Sequence, residues 1–286
     1  MNVLHVVHVS GFASVQDHGR HGYAHLAVSP SGAFDRASHD YANRIVGNAD
    51  AAATIELTRA SIQFVCDQEV MISVTGAPTS IVIDGRQRET QRAILVPGGT
   101  TVLVTAQNLG MRSYLAVRGG IDAEQVMGSA AYDELSKIGT PPLRTGDALR
   151  IGAAAASTPA VTRGVSSGVN VSQTATIRVH KGPRWATCAN SETLLTGEYT
   201  VTSRLNRIGI RLAGPSISWD TEERLSPEGV ITGAIQVATD GQPLIFGPDH
   251  PITGTYPVIA LVDERDLGVL AQLAPGTTVR FVQSRR

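Results

Sequence analysis

Three stretches of this 286-residue chain carry the residue types that chemistry needs. In the first, Gln16, Asp17 and Arg20 precede Ser29, Ser31, Asp35 and Arg36, with glycines at 19, 22 and 32 and Pro30 between them. Glycine allows close backbone approach and unusual φ values. Polar side chains and N–H groups can therefore point into one place, which suits an anion or an amide. The stretch opens onto a helix beginning near Asp35, and the first turn of a helix attracts anions. A charged surface loop closed by Asp–Arg pairs is the competing reading, and the sequence leaves both open.

The second stretch holds Gln236, Asp240 and Asp249, followed by Tyr256. Asp240 and Asp249 lie on turns flanking one short strand. Two carboxylates can divide general acid and base work when their surroundings differ. Asp240 precedes Gly241, however, and Asp-Gly is common turn chemistry. The third stretch is Arg204–Leu212, with arginines at 204, 207 and 211. Read as one strand, it puts Arg207 and Arg211 on one face and Arg204 on the other. A guanidinium beside a glycine could grip a carboxylate, and a solvated strand edge is the alternative.

Other chemistry is excluded or weak. His18, His21 and His25 have a spacing that could clasp zinc, but the run has no helical face and no nearby acid beyond Asp17. A polar loop is the expectation, with no metal. No phosphate-binding loop or dinucleotide fingerprint occurs, so no cofactor is expected on this chain. Gly164-Val165-Ser166-Ser167-Gly168 matches a nucleophile elbow in spacing alone and lacks the strand and helix that such a motif needs. Cys66 and Cys188 form neither a metal pair nor a disulfide framework. The formal net charge of −1 removes the basic excess of a nucleic-acid binder. Neither a signal peptide nor a membrane span is legible, so the expected compartment is the cytoplasm.

The elements that must position these residues are mostly short strands punctuated by Gly, Pro and Asp-Gly. Val3–Val9 suits a strand buried on both faces. Val70–Thr75 and Ile81–Ile83 follow, the latter meeting the hairpin signal Asp84-Gly85. Ala93–Val96 and Thr100–Thr105 read as a hairpin around Pro97-Gly98-Gly99. Further strands are expected at 113–117, 148–151, 176–180, 198–203, 229–237, 243–246 and 278–282. Two helices are expected, Asp35–Val46 ending at Gly47 and Asp266–Leu273 ending at Pro275-Gly276. Many short strands and few helices argue for barrels or sandwiches. The Ala-, Ser- and Thr-rich stretch 153–176 reads as a linker or exposed loop between units at 1–152 and 177–286. A faint echo of Thr75-Gly76-Ala77, Asp84-Gly85 and Pro97–Val102 recurs at Thr232-Gly233-Ala234, Asp240-Gly241 and Pro275–Val279.

These segments resemble a known family. Val15–Arg20, Ser29–Asp35, Ala42-Asn43-Arg44, Glu56, Arg112–Gly120, Gly182-Pro183, Arg207–Leu212, Gly233–Pro243, Asp249 and Thr253–Pro257 occur in the order found in allophanate hydrolase subunit 2, the A/B half of the biotin-dependent carboxyltransferase domain. The likeness runs nearly end to end. The chain departs from the family pattern at Ala27, Phe34, Asn206, Thr255 and the shortened 138–142 run.

The resemblance implies a mainly β fold of two cyclophilin-like β-barrel units with a few short helices, with strand exchange between units allowed. It implies a companion subunit of related fold, of the type found as allophanate hydrolase subunit 1 or as the B component of 5-oxoprolinase, and a small amide-like substrate. One branch opens 5-oxoproline to L-glutamate with ATP used by the assembly. A second moves a carboxyl group from carboxybiotin to urea. A third resembles regulators that act on a kinase inhibitor. Gln16, Asp17, Arg20, Asp35, Arg207, Gln236 and Tyr256 are the expected substrate-binding residues. Arg20 or Arg207 would hold a carboxylate. Asp240 and Asp249 are the expected catalytic pair, orienting the amide nitrogen or exchanging a proton with it.

Overall fold

The computed structural model describes residues 2–154, 172–219 and 225–285. Most of the expected linker, with the whole Gly164–Gly168 motif, lies outside the described residues. The chain folds into two compact units. The first takes the N-terminal residues to Arg20, Asp35–Tyr132 and the stretch from Lys137. The second takes His21–Phe34, Asp133–Ser136 and the C-terminal part. Two short segments from the first half of the sequence thus group with the second unit; the sequence suggested units at 1–152 and 177–286 with exchange between them allowed.

The first unit runs β1 (Val3–Gln16), α1 (Arg36–Val46), β2 (Thr54–Cys66), β3 (Val70–Gly76), β4 (Thr79–Ile83), β5 (Arg86–Arg88), β6 (Ile94–Val96), β7 (Thr101–Ala106), β8 (Arg112–Val117) and β9 (Ala148–Arg150). The nine strands form one half-barrel sheet in the order β5-β4-β7-β2-β8-β3-β6, with β1 along β2 and β9 beside β1. Ile55, Leu57, Ile62, Phe64, Ile72, Val74, Val104 and Leu115 fill its core. Helix α1 is started by Asp35, whose carboxylate accepts from the Ser38 N–H. Ser73 Oγ on β3 donates to Ala42 O at 2.8 Å and Thr75 Oγ1 donates to Ser38 O at 2.6 Å, fixing the helix on the sheet.

The second unit runs β10 (Thr174–Lys181), α2 (Thr193–Thr196), β11 (Glu198–Leu205), β12 (Gly209–Ala213), β13 (Glu228–Gly229), β14 (Ala234–Val237), β15 (Pro243–Phe246), β16 (Thr253–Gly254), β17 (Val258–Val262), α3 (Leu267–Ala271) and β18 (Thr278–Gln283). Seven strands close a barrel in the order β10-β17-β14-β15-β12-β11-β18, sealed by parallel pairing of β10 with β18. Closure leaves no unpaired edge. Its core holds Ile177, Val201, Ile210, Leu212, Ile235, Ile245, Ile259 and Phe281. The mainly β architecture with few helices is the one the sequence indicated, and among the described residues no helix is long and apolar enough to cross a membrane.

Several local expectations are corrected. The N-terminal strand is not buried on both faces: Leu4 and Val6 are buried, but Val7 is 46% exposed. The segments around Ile94–Val96 and Thr101–Ala106 are not a hairpin, because β6 pairs with β3 while β7 pairs with β2 and β4. The Arg204–Leu212 run is not one strand. Asn206 Oδ1 accepts from the N–H groups of Ile208 and Gly209, making a turn between β11 and β12. The expected 229–237 strand divides into β13 and β14. The expected 266–273 helix shortens to α3 behind a 3₁₀ turn at Glu264–Asp266. Strand β2, the longest partner of β1, had no periodic signature across its full length. Its alternation changes phase near Arg59, whose φ is 44°, opposite the register shift between Ser10 and Phe12. Gly11 permits that bulge: at φ 80° its added Cβ would lie 2.7 Å from Arg59 O.

Candidate functional site

In the second unit the turn between β11 and β12 delivers Arg207 to Asp249. Arg207 Nε donates to Asp249 Oδ2 at 2.8 Å and its NH2 donates to Oδ1 at 2.9 Å, a two-pronged fork with both side chains essentially buried. The same NH2 group donates to Gly32 O at 2.6 Å and lies 3.4 Å from Ser31 Oγ. Glu134 completes the frame: its N–H donates to Asp249 Oδ2 at 2.8 Å, and its carboxylate accepts from the Arg207 N–H at 2.9 Å. Ser29 Oγ donates to Asp133 Oδ2 at 2.7 Å. Burial pushes the Asp249 carboxyl above its ordinary value, against the pull of the Arg207 charge and fork and the Glu134 N–H. Both carboxylate oxygens accept hydrogen bonds, so this pair orients the chain segments that carry Arg207, Asp249, Gly32 and Glu134.

The other second-unit residues fall into separate places. Gln236 on β14 is buried, and its Nε2 donates to Tyr256 O at 2.9 Å. Gly254 lies against that amide so closely that an added Cβ would sit 2.4 Å from Gln236 Nε2. The Thr253–Tyr256 stretch therefore drapes over Gln236, and Tyr256, 37% exposed, sets its ring edge-on to Trp219 at 6.3 Å. Asp240 is exposed in the turn between β14 and β15, where Oδ1 accepts from the Gln242 N–H at 3.0 Å. It shares no described hydrogen bond or ion pair with Arg207 or Asp249. His250, beside Asp249 in sequence, donates from Nδ1 to Pro251 O at 2.7 Å. Burial lowers the pKa of its imidazolium, and the ring in its neutral form carries its lone pair on Nε2.

In the first unit Gln16, Asp17, Arg20 and Asp35 are buried and engaged. Gln16 at the end of β1 donates from Nε2 to Ser14 Oγ and Tyr132 O, at 3.0 and 2.9 Å, while its Oε1 is buried without a hydrogen-bond partner. Asp17 Oδ1 accepts from the Gly19 N–H at 2.7 Å and Ser129 Oγ at 2.6 Å, and Oδ2 accepts from the Ala130 N–H at 2.8 Å. Arg20 donates to the carbonyls of Val126 and Ala131. Asp35 caps α1, and its N–H donates to Tyr114 Oη at 2.8 Å. Tyr114 passes its own proton donor to Glu56 Oε2 at 2.8 Å, and Arg112 Nε lies 3.5 Å from Glu56 Oε1. Burial, then the charges of Glu56 and Asp35, holds the Tyr114 phenol well above its usual value.

Sequence reasoning named neither Glu56, Tyr114 and Arg112 nor Glu134 and Ser129 as site residues. The usable signal was a charged residue flanked by Ile55 and Leu57, with Tyr114 directly opposite it in register. The histidine run divides differently from its spacing. Among the described residues, the ligand atoms of His18, His39 and Asp40 lie within 4.8 Å of one another, and neither His21 nor His25 belongs to that group. Burial alone would raise the Asp40 carboxyl, but bonds from His39 and His18 hold it below its ordinary value. Two family departures have local consequences. Ala27 occupies φ 59°, which a glycine adopts more readily, and Phe34 fills the second-unit core.

Comparison with known proteins agrees with this architecture. Residues 26–283 match the carboxyltransferase domain, subdomain A and B. The chain is 32% identical to the C component of 5-oxoprolinase from Escherichia coli, covering 98% of this chain and 91% of that protein. It is 30% identical to urea amidolyase of Saccharomyces cerevisiae, covering 94% of this chain and 16% of that much longer protein. The crystal structure of the K. lactis urea amidolyase superposes with a TM-score of 0.90 at 27% identity, over 99% of this chain and 19% of that one. The chain belongs to the family defined by the carboxyltransferase domain, subdomains A and B.

Proposed function

We propose that this chain is a subunit of an ATP-dependent 5-oxoprolinase that opens 5-oxoproline to L-glutamate together with companion subunits. The observation that supports this reading is the likeness to the C component of the Escherichia coli 5-oxoprolinase, which extends over 91% of that protein. The companion is of the kind that forms the B component of 5-oxoprolinase, phosphoryl chemistry belongs to the companions, and the assembly works in the cytoplasm.

In this reading Arg207 and Asp249 hold the walls of the site, since their hydrogen-bonding groups serve Gly32 and Glu134. The exposed ring of Tyr256 faces the substrate, Gln236 positions the stretch that carries it through its bond to Tyr256 O, and Asp240 is accessible for proton exchange with the lactam nitrogen. Gln16, Asp17, Arg20 and Asp35 form a polar wall of their own in the first unit. The test is oxoproline-dependent ATP hydrolysis by the co-expressed subunits carrying variants of this chain. Gln236→Ala is expected to lower turnover by at least about tenfold, the range in which a lost oriented contact shows. Unchanged turnover in Asp240→Ala would remove Asp240 from the mechanism.

A second reading has a specific observation behind it. The superposition on the K. lactis urea amidolyase favours a carboxyltransferase half that takes its carboxyl group from carboxybiotin. Carboxyl transfer to urea from a carboxylated biotin carrier, without any response to oxoproline, would select it. A stable complex with the companion that turns over neither substrate would select a regulatory role.

A further inference from the structure

We propose that His18, His39 and Asp40 form a binding site for one divalent transition-metal ion of the zinc class. The three side chains come from two places in the first unit: His18 follows β1, and His39 and Asp40 are neighbours in the first turns of α1. All three aim at one point. His18 Nε2 lies 2.7 Å and His39 Nδ1 lies 3.0 Å from the same oxygen, Asp40 Oδ1, and all three atoms fall within 4.8 Å. Two imidazole nitrogens and one carboxylate oxygen are a donor set suited to zinc and its neighbours, with bonds of about 2.0–2.2 Å. An ion between them needs shifts of only a few tenths of an ångström.

The cluster is built rather than adventitious. His39 is fully buried, set edge-on to Tyr114 at 5.9 Å and packed 5.5 Å from the His18 ring. The Asp35 cap and the Thr75 and Ser73 bonds hold α1, and hence two of the three ligands, in place. His39 Nε2 is buried with no hydrogen-bond partner, so metal binding at Nδ1 places the ring proton there at a cost that coordination must exceed. His18 and Asp40 keep 23% and 17% side-chain exposure, which gives an ion an entry path and leaves a coordination position open to water.

One neighbour opposes the ion. Arg36 NH2 lies 2.8 Å from His18 Nδ1 and donates to it, which places the ring proton on Nε2, where the ion would bind. Metal binding at Nε2 moves that proton to Nδ1, and Arg36, which is exposed, must then turn to solvent. Arg36 therefore sets the affinity without being a ligand.

The experiment uses the full chain without a histidine tag, stripped with chelator and titrated with Zn²⁺ by calorimetry and with Co²⁺ by visible absorption. About one equivalent is expected, with cobalt d–d bands showing nitrogen and oxygen ligands. His18→Gln and Asp40→Asn should each weaken binding by more than the roughly 10–100-fold produced by losing an outer-shell partner. Arg36→Ala should tighten it. Because His39 is buried, its variants are set aside, and circular dichroism checks that the partly exposed variants remain folded. The proposal is overturned if the wild-type chain takes up no ion, or if one equivalent still binds with unchanged affinity in His18→Gln and Asp40→Asn.

Discussion

Each unit buries one arginine against one carboxylate, and the two pairs are built differently. In the second unit, Arg207 and Asp249 meet through two parallel bonds of 2.8 and 2.9 Å, and the surplus hydrogen-bonding capacity goes to backbone at Gly32 and Glu134. In the first unit, Arg112 stands 3.5 Å from Glu56, and the close partner of that carboxylate is the Tyr114 hydroxyl at 2.8 Å. The fork sits just beyond the end of the β12–β15 ladder, where the Asp249 N–H donates to Arg207 O at 3.1 Å, and it ties in the Gly32 and Glu134 segments, which belong to no strand. The Glu56 group lies instead across two paired strands, with Glu56 opposite Tyr114 in the β2–β8 ladder. The fork holds loop segments at the end of a ladder, while the hydroxyl relay works inside one.

The largest predicted effect breaks the fork. Arg207→Ala leaves the Asp249 carboxylate buried without its counter-charge, and urea unfolding should show a loss of about 3–5 kcal/mol. The double variant Arg207→Met with Asp249→Leu should recover part of that loss, because no uncompensated charge remains. Equal losses in the single and double variants would show that the arginine acts through Gly32 and Glu134 alone. Next in size is Tyr114→Phe, which strips a buried acceptor from the Asp35 N–H and a donor from Glu56. A cost of about 1–3 kcal/mol is expected, and a neutral result would mean that Arg112 alone satisfies Glu56.

Asp35→Ala removes the cap of α1 and should cost about 0.5–2 kcal/mol, read in the same unfolding series. The last effect is read against pH rather than in a substitution, and it concerns Cys66. Burial pushes its thiol up to about 12, above the unfolded value. A group with a raised folded pKa supports the fold fully below its unfolded pKa and loses that support as pH rises through the folded one. Stability should therefore fall between about pH 9 and 12. At pH 8 the native thiol should resist iodoacetamide and react once the chain is denatured.

What the sequence disclosed follows from how local each feature is. Helix α1 was legible from its apolar face and its stop at Gly47, and the β4–β5 hairpin from Asp84-Gly85, because adjacent residues determine both. Strand β2 was hidden by the phase change at Arg59, where the bulge opposite Gly11 turns the alternation over. Asp249 and Arg207 could be named singly, but not as partners. Their fork also depends on Gly32 and Glu134, residues far away in sequence that no periodicity links to it. The His18, His39 and Asp40 group was invisible for the same reason. Spacing pointed to His21 and His25, while the fold supplied two neighbours on a helix.

The central functional claim is that this chain is an obligatory part of an enzyme that opens a five-membered lactam. Its most direct test is glutamate released from 5-oxoproline in the presence of ATP by the purified companion subunits, measured with and without this chain. Release only when the chain is present is the predicted result. Release at the same rate without it, or no release alongside carboxyl transfer from carboxybiotin, would contradict the account.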